Sequence, residues 1–158
     1  MLRRTLMAVG LAAAMVLPQT ALAQSRTAPT AQRAPVGKAN VEVMVVHATD
    51  GDYVDPRLEK IMKNLKSTRF TGFKLLQSES SRLSIGGDNS VSIAGNRRLK
   101  LTLVEKNAST AKVRIRMFKE GNKVLDTTVN IPNGKYIMIA GPKHKDGKLV
   151  IPVGVNLR

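Results

Sequence analysis

The chain contains no cysteine, no tryptophan and few other aromatic residues. Without cysteine it forms no disulfides, no thiolate metal sites and no thiol nucleophile, and it offers no attachment point for the lipid of a bacterial lipoprotein. Phenylalanine and tyrosine make up only 3% of the residues, whereas proteins that bind single-stranded nucleic acid place aromatic rings among their cations. Stability must therefore come from the packing of a hydrophobic core, and we do not expect nucleic acid as a partner.

Apolar runs long enough to cross a bilayer, about 20 residues, are missing as well. The apolar stretch 6–17 is shorter, follows Arg3 and Arg4, and precedes a small-residue motif that ends at Ala23. These are the three zones of a secretory signal peptide. We therefore predict that residues 1–23 are removed by cleavage between Ala23 and Gln24, and that the mature protein is exported to the periplasm or the medium.

Acidic residues are scarce relative to basic ones. The sequence has 26 Lys and Arg against 11 Asp and Glu, a formal net charge of +15. Loss of Arg3 and Arg4 with the signal peptide, which has no other charged residue, lowers this to +13. Such a charge attracts anionic surfaces but does not determine a fold. It indicates an envelope protein, an anionic lipid or an anionic glycan as the partner.

The mature chain divides into a leader and one domain. Residues 24–40 are rich in Ser, Thr, Ala, Pro, Arg and Lys without hydrophobic periodicity, which predicts a flexible leader. The β-branched run 41–46 predicts a first strand. Asp55 and Pro56 are typical of a helix start, and a helix over 56–66 is predicted by apolar residues at helical spacing, namely Leu58, Ile61, Met62 and Leu65. Residues 41–158 are predicted to form a single β-rich domain.

Apolar residues after Phe73 fall mostly at odd positions, and this parity continues across turn after turn. Facing residues of an antiparallel hairpin share one side of the sheet, so unbroken parity predicts successive hairpins with one continuous buried face. The predicted fold is mainly β, an antiparallel meander of about eight strands with one helix, curled into a barrel or a sandwich. Pro152 lacks an N–H donor and places the last strand at an edge or at a bulge.

One hairpin register follows from this parity. A three-residue loop over 120–122 pairs Met117 with Leu125 and Arg116 with Asp126, which keeps the apolar residues on one side. A two-residue loop at 121–122 would oppose Met117 to Asp126. We therefore predict the three-residue loop.

Cations recur on the even-numbered positions of the predicted sheet. The candidate anion-binding face comprises Arg82, Arg98, Lys100, Lys112, Arg114, Arg116 and Lys148. Like charges on facing strand positions are destabilising, and an anionic ligand would relieve this repulsion. The simpler alternative is a solvated strand face whose lysines and arginines discourage aggregation, with Arg116 facing Asp126. Phe118 is the aromatic residue expected among these cations.

Motifs for catalysis and metal binding are absent from the sequence. It has no Gly-x-Ser-x-Gly elbow and no evident pair of catalytic carboxylates, and we predict neither an enzyme nor a cofactor. Asp50, Asp52 and Asp55 do not match a calcium-binding loop, and turn and cap roles account for them. His47 and His144 lie at no zinc-ligand spacing, so no metal site is predicted.

Two resemblances accompany these patterns. The segments 55–58, 73–76 and 141–151, with the helix to Leu65 and Phe70, resemble small exported proteins of uncharacterised function from myxobacteria and related bacteria. This likeness implies export but no chemistry. The stretch Thr128–Gly141 resembles a strand-turn-strand of the secretin domain, which implies a place beside a secretion apparatus.

Three functions remain open from the sequence. The first is a non-catalytic exported domain that binds a partner through its basic face. The second is an accessory or structural subunit of an envelope or secretion assembly that pairs through an edge, such as the final strand over 149–157. The third is a hydrolase whose site the sequence does not display.

Overall fold

The computed structural model describes residues 37–158. Its eight strands are β1 (Lys38–Thr49), β2 (Gly72–Ser84), β3 (Asp88–Ile93), β4 (Arg97–Lys106), β5 (Thr110–Lys119), β6 (Asn122–Pro132), β7 (Tyr136–His144) and β8 (Gly147–Asn156). Between β1 and β2, a 3₁₀ helix (Pro56–Ile61) continues into the short α-helix α1 (Met62–Leu65). We call these two together the helical segment. No helix within 37–158 has the length and apolar content needed to span a membrane.

The strands form two four-stranded antiparallel sheets. The first sheet has the order β2-β1-β8-β7 and the second the order β3-β4-β5-β6. The prediction of a mainly β, antiparallel fold of about eight strands with one helix is confirmed, and the sheets form a sandwich without closing into a barrel. The meander connectivity covers β3 to β6. In the first sheet β1 instead pairs with both β2 and β8, and the chain changes sheet after β2 and after β6. The two strands of the Thr128–Gly141 stretch consequently lie in different sheets.

The space between the sheets is filled by the residues of odd parity. Leu99, Leu101 and Ile115 of the second sheet share one core cluster with Ile151 and Val153 of the first, and all five are fully buried. Apolar burial on this scale is the main stabilising contribution to such a domain. The predicted alternation thus identifies the inner faces of both sheets.

A second core lies on the other side of the first sheet, beneath the helical segment. Leu58, Ile61 and Leu65 pack there against Phe73 and Leu75 of β2. Phe73 and Leu75 have odd numbers but face away from the main core, because a bulge at Leu76 reverses the alternation within β2. The prediction of one continuous buried face was therefore wrong at β2. The first sheet is covered on both sides.

The helical segment begins where the sequence predicts. Asp55 accepts a hydrogen bond from the Arg57 backbone N–H at 3.0 Å, and Pro56 takes the first position. The predicted span 56–66 is confirmed to within one residue at its end. Its first half is a 3₁₀ helix, however, in which residues three apart are aligned, and this places Leu58 and Ile61 together on the sheet.

The register of the β5–β6 hairpin is confirmed, although the loop differs from the predicted one. Met117 pairs with Leu125. The turn comprises two residues, Glu120 and Gly121, with φ of 49° and 85°, as in the turns favoured by the twist of hairpins. The third residue needed for the register is supplied by a bulge at Val124. A short turn plus a bulge therefore replaces the predicted three-residue loop.

The final strand is an interior strand. β8 pairs with β1 on one side and with β7 on the other. Of the two alternatives predicted from Pro152, an edge or a bulge, the edge position was therefore wrong. On the β7 side, Pro152 pairs with Met138. On the β1 side, the pairing is interrupted from Val150 to Val153, because Pro152 has no N–H to donate there. The apolar core residues on both faces of β8 explain why the strand is central.

The domain begins earlier than predicted. β1 starts at Lys38, and Lys38–Asn40 pair with the end of β2, so these three residues belong to the sheet and not to the leader. The predicted cleavage site and the remainder of the leader, together residues 1–36, lie outside the described residues.

Candidate anion-binding face

The structure brings together five of the seven predicted cations. The outer surface of the second sheet, which we call the basic face, carries Arg98, Lys100, Lys112, Arg114 and Arg116. The two others belong to the first sheet. Arg82 pairs with Asn40, and Lys148 pairs with Ala48, which packs in the core under the helical segment. Arg82 and Lys148 therefore lie on the opposite side of the sandwich, because paired residues share a face.

The register of the four strands arranges the basic face in rows. The first row, nearest the β3–β4 and β5–β6 turns, runs Ser92, Arg98, Phe118, Lys123. The second row runs Ser90, Lys100, Arg116, Asp126. The third runs Asp88, Thr102, Arg114, Thr128, and beyond it Glu105 pairs with Lys112. The first row contains no carboxylate.

Asp126 is bound by Arg114 and not by the residue that faces it. The Arg114 Nε and Nη2 donate to the two carboxylate oxygens at 2.8 Å each, and Lys123 Nζ donates to Oδ2 at 2.9 Å. Hydrogen bonds from Arg114 and then Lys123 hold the pKa of Asp126 far below its usual value. The predicted register was right, but the ion pair forms along the diagonal. Arg116 is therefore left without its expected partner.

The other carboxylates of the face are also occupied. Lys100 pairs with Asp88, and Lys112 Nζ donates to Glu105 Oε2 at 2.8 Å. These hydrogen bonds lower the pKa of Asp88 and of Glu105. For exposed pairs of this kind the contribution to stability is about 0–1 kcal/mol each. Their main effect here is to neutralise Lys100 in the second row and Lys112 beyond the third.

Two arginines on this face have no carboxylate within salt-bridge distance among residues 37–158, namely Arg98 and Arg116. Arg98 is exposed. Arg116 Nη2 donates to Thr102 Oγ1 at 3.2 Å, and its Nε is buried with no hydrogen-bond partner. A buried donor without a partner is costly and rare in native proteins. The uncompensated charge of the face is thus concentrated in its first two rows.

These rows border a groove of about 880 Å³. Its walls include Ser90 and Ser92 of β3, Arg98 and Lys100 of β4, and Phe118 of β5. The turns after β3 and β5 close one end, where the Glu120 N–H donates to the Asn96 carbonyl oxygen at 3.1 Å. The hairpin turns therefore hold the wall of the groove in place.

Sequence reasoning missed a polar cluster on the opposite side of the sandwich. Lys60 of the helical segment donates to both oxygens of Glu42 at 2.7 and 2.9 Å, and the Tyr136 hydroxyl donates to Glu42 Oε2 at 2.5 Å. Burial alone would raise the pKa of Glu42, but the hydrogen bonds from Lys60 and Tyr136 outweigh it and lower the pKa. The cluster fastens the helical segment to the first sheet. The three residues lie far apart in the chain, so no local motif joins them. The one signal in the sequence is Glu42 itself, a charged residue between the buried Val41 and Val43 of β1.

The two histidines, which the sequence keeps apart, meet at the end of the first sheet. The His47 and His144 rings lie edge to face with centroids 5.2 Å apart. His47 Nε2 donates to the His144 carbonyl oxygen at 3.0 Å, and Asp146 Oδ1 lies 3.4 Å away. Within 37–158 no group of three or more acidic or histidine side chains has the arrangement of a metal site. Asp55 serves as a helix cap, as predicted.

A scan of the chain against protein-family models found no match, and neither did searches of curated proteins and of solved structures.

Proposed function

We propose that this protein is a non-catalytic, exported binding domain that holds an anionic partner on the first two rows of its basic face. The observation that carries the proposal is that Arg98 and Arg116, in the first and second rows, have no carboxylate within salt-bridge distance among residues 37–158. The predicted signal peptide supports export to the periplasm or the medium. An anionic lipid, an acidic glycan or an acidic envelope protein would supply the opposite charge.

Charge and geometry both favour an anion at this position. Lys100 and Arg116 occupy facing positions on β4 and β5, an arrangement of like charges that costs roughly a few tenths of a kcal/mol and that Asp88, paired with Lys100, offsets only in part. A bound anion removes this repulsion and provides an acceptor for arginine donors. Arginine suits this role because its planar fork binds carboxylate, sulfate or phosphate oxygens through two hydrogen bonds.

The experiment compares two double variants with the same change in net charge. Arg98→Ser with Arg116→Ser removes two charges from the proposed site, whereas Arg82→Ser with Lys148→Ser removes two from the opposite side. Binding is measured on immobilised heparin, on inorganic polyphosphate and on phosphatidylglycerol vesicles as a function of salt. We expect the first variant to lose binding at a lower salt concentration than the wild type, and the second to change much less.

Equal losses in the two double variants would contradict the proposal, because they would show attraction by net charge without a site. Unchanged binding in the first variant, or no binding of any probe by the wild type, would contradict it as well. Circular dichroism of each variant establishes that the fold is intact.

A second candidate is an accessory subunit of an envelope or secretion assembly. The observation that favours it is the edge strand β6, which spans 11 residues at one side of the second sheet. An edge strand offers unpaired backbone groups to a partner strand. Retention of one specific protein from envelope extract at high salt would favour this function, since strand pairing depends far less on ionic strength than contacts between charged surfaces do.

A further inference from the structure

We propose that the groove along the first two rows binds an acidic saccharide, with Phe118 against a sugar ring and Arg98 on its carboxylate or sulfate. This inference rests on the proposed function and specifies the chemistry of the ligand. It uses three kinds of groups that the groove combines, namely an aromatic ring, cations and hydroxyls.

Phe118 is the first of these groups. It lies on the solvent side of β5, directly opposite Arg98, is only half-buried and lines the groove. Within 37–158 the cations that stack on aromatic rings are Lys60 on Tyr136 and Arg69 on Phe70, so Arg98 does not cover the Phe118 ring. An apolar ring on an otherwise polar strand face suits the C–H face of a pyranose.

The cations and hydroxyls surround this ring in register. Ser92 faces Arg98, and Ser90 faces Lys100, so each serine lies beside a cation along the groove. Both serines are exposed, and a hydroxyl both donates and accepts hydrogen bonds, as sugar hydroxyls require. The Arg98 guanidinium has no carboxylate of the described chain bound to it, which leaves its fork for an acidic group of the ligand.

A saccharide fits this groove better than the other polyanions do. Phe118 is the one aromatic residue in its lining, whereas single-stranded nucleic acid stacks successive bases on successive rings. Glu120 also lines the groove, and its carboxylate accepts hydrogen bonds from sugar hydroxyls, which polyphosphate lacks. The groove, of about 880 Å³, has room for a short oligosaccharide.

The test uses the purified protein with two saccharide probes, a heparin tetrasaccharide and tetragalacturonate. Inorganic polyphosphate of similar charge serves as the probe without a sugar ring, and phosphatidylglycerol vesicles represent a lipid surface. Binding is measured by titration calorimetry. We expect at least one saccharide to bind more tightly than polyphosphate, and the fully methyl-esterified galacturonate tetramer, which is uncharged, to bind at least tenfold more weakly than the acid.

The key variant is Phe118→Leu, which keeps an apolar side chain of similar size but removes the ring. We expect this variant to bind the tighter-binding saccharide about fivefold to tenfold more weakly, which corresponds to the loss of one aromatic contact. Its affinity for polyphosphate should change less than twofold. Leu76→Ala, an exposed apolar residue of β2, is the control for loss of an apolar side chain elsewhere. Melting temperatures show whether each variant is folded.

The outcomes separate this inference from the proposed function. If Phe118→Leu leaves saccharide binding unchanged, or if polyphosphate or vesicles bind as tightly as both saccharides, the saccharide inference is overturned. The proposed function then stands as long as Arg98→Ser with Arg116→Ser still lowers the binding of those probes. If no probe binds the wild type, both are overturned.

Discussion

Replacement of Gly154 by alanine should destabilise the domain through one specific clash. Gly154 lies in β8 between Tyr136 of β7 and Glu42 of β1, and it faces both residues in register. The tyrosine ring crosses over this glycine to place its hydroxyl 2.5 Å from Glu42 Oε2. A Cβ at 154 would lie 2.5 Å from Cδ1 and 2.8 Å from Cζ of the ring, closer than real Cβ contacts. Either the ring or the strand must therefore move.

The expected magnitude follows from these two responses. If the backbone yields, the cost of overpacking is about 1–3 kcal/mol. If the ring swings away, the hydrogen bond from Tyr136 to the Glu42 carboxylate is lost, and bonds to charged groups contribute about 1.5–3 kcal/mol. We expect Gly154→Ala to lower the free energy of unfolding by about 2 kcal/mol. In Gly51→Ala the nearest atom to the new Cβ is 3.4 Å away, and the change should stay within about 0.5 kcal/mol.

Urea denaturation followed by circular dichroism measures both variants, since the chain has no tryptophan. A double-mutant cycle isolates the cause. In a Tyr136→Ala background the clash is absent, so adding the Gly154→Ala change should cost less than about 0.5 kcal/mol. The role assigned to the ring would be refuted if Gly154→Ala cost as much in the Tyr136→Ala background as in the wild type. It would also be refuted if Gly154→Ala in the wild type cost no more than Gly51→Ala.

Three further predictions concern the core, an acid transition and a turn. Leu101→Ala, at a fully buried position between the sheets, should cost about 2–5 kcal/mol in urea denaturation, whereas Val104→Ala at an exposed bulge should cost less than about 0.5 kcal/mol; similar costs would contradict the assigned core. Hydrogen bonds from Arg57 lower the pKa of Asp55 from 3.8 to about 2. The stabilisation by the Asp55 carboxylate is therefore complete above about pH 4 and is lost as the pH falls toward 2. The difference in unfolding free energy between the wild type and Asp55→Asn should shrink over that range. A constant difference would show that ionisation of Asp55 plays no part. Glu120 adopts a φ of 49° that favours asparagine or glycine, and Glu120→Asn should raise the free energy of unfolding by about 0.5–1 kcal/mol; a lower melting temperature would contradict this.

Local features of the fold could be predicted because they depend on neighbours in the chain. Asp55 and Pro56 start the helical segment through a cap and a preset φ, whatever the remainder of the fold does. The pairing of Met117 with Leu125 follows from the alternation of two adjacent strands joined by a short turn. Even there the alternation determines only the register. It does not determine whether the extra residue lies in the turn or, as observed, in a bulge at Val124.

The candidate site could be predicted only in part. Parity correctly placed Arg98, Lys100 and Arg116 on one solvent face, because side chains alternate strictly along a strand. It also grouped Arg82 with them, since a sequence pattern cannot tell which of two sheets a strand joins. The choice of Arg114 over Arg116 as the partner of Asp126 depends on the diagonal reach of a long side chain, which register alone does not decide.

By itself the sequence determined the strand alternation, the start of the helical segment and the excess of positive charge, because each depends on residue type and local spacing. Only the tertiary structure decided that β8 is central and that the side-chain alternation of β2 reverses at Leu76. It also decided that the cations without a carboxylate partner, Arg98 and Arg116, lie close to Phe118. These outcomes depend on contacts between segments far apart in the chain. Which strands pair, and which carboxylate meets which cation, is settled by the joint burial of two sheets and a helix, a property that no single stretch of sequence contains.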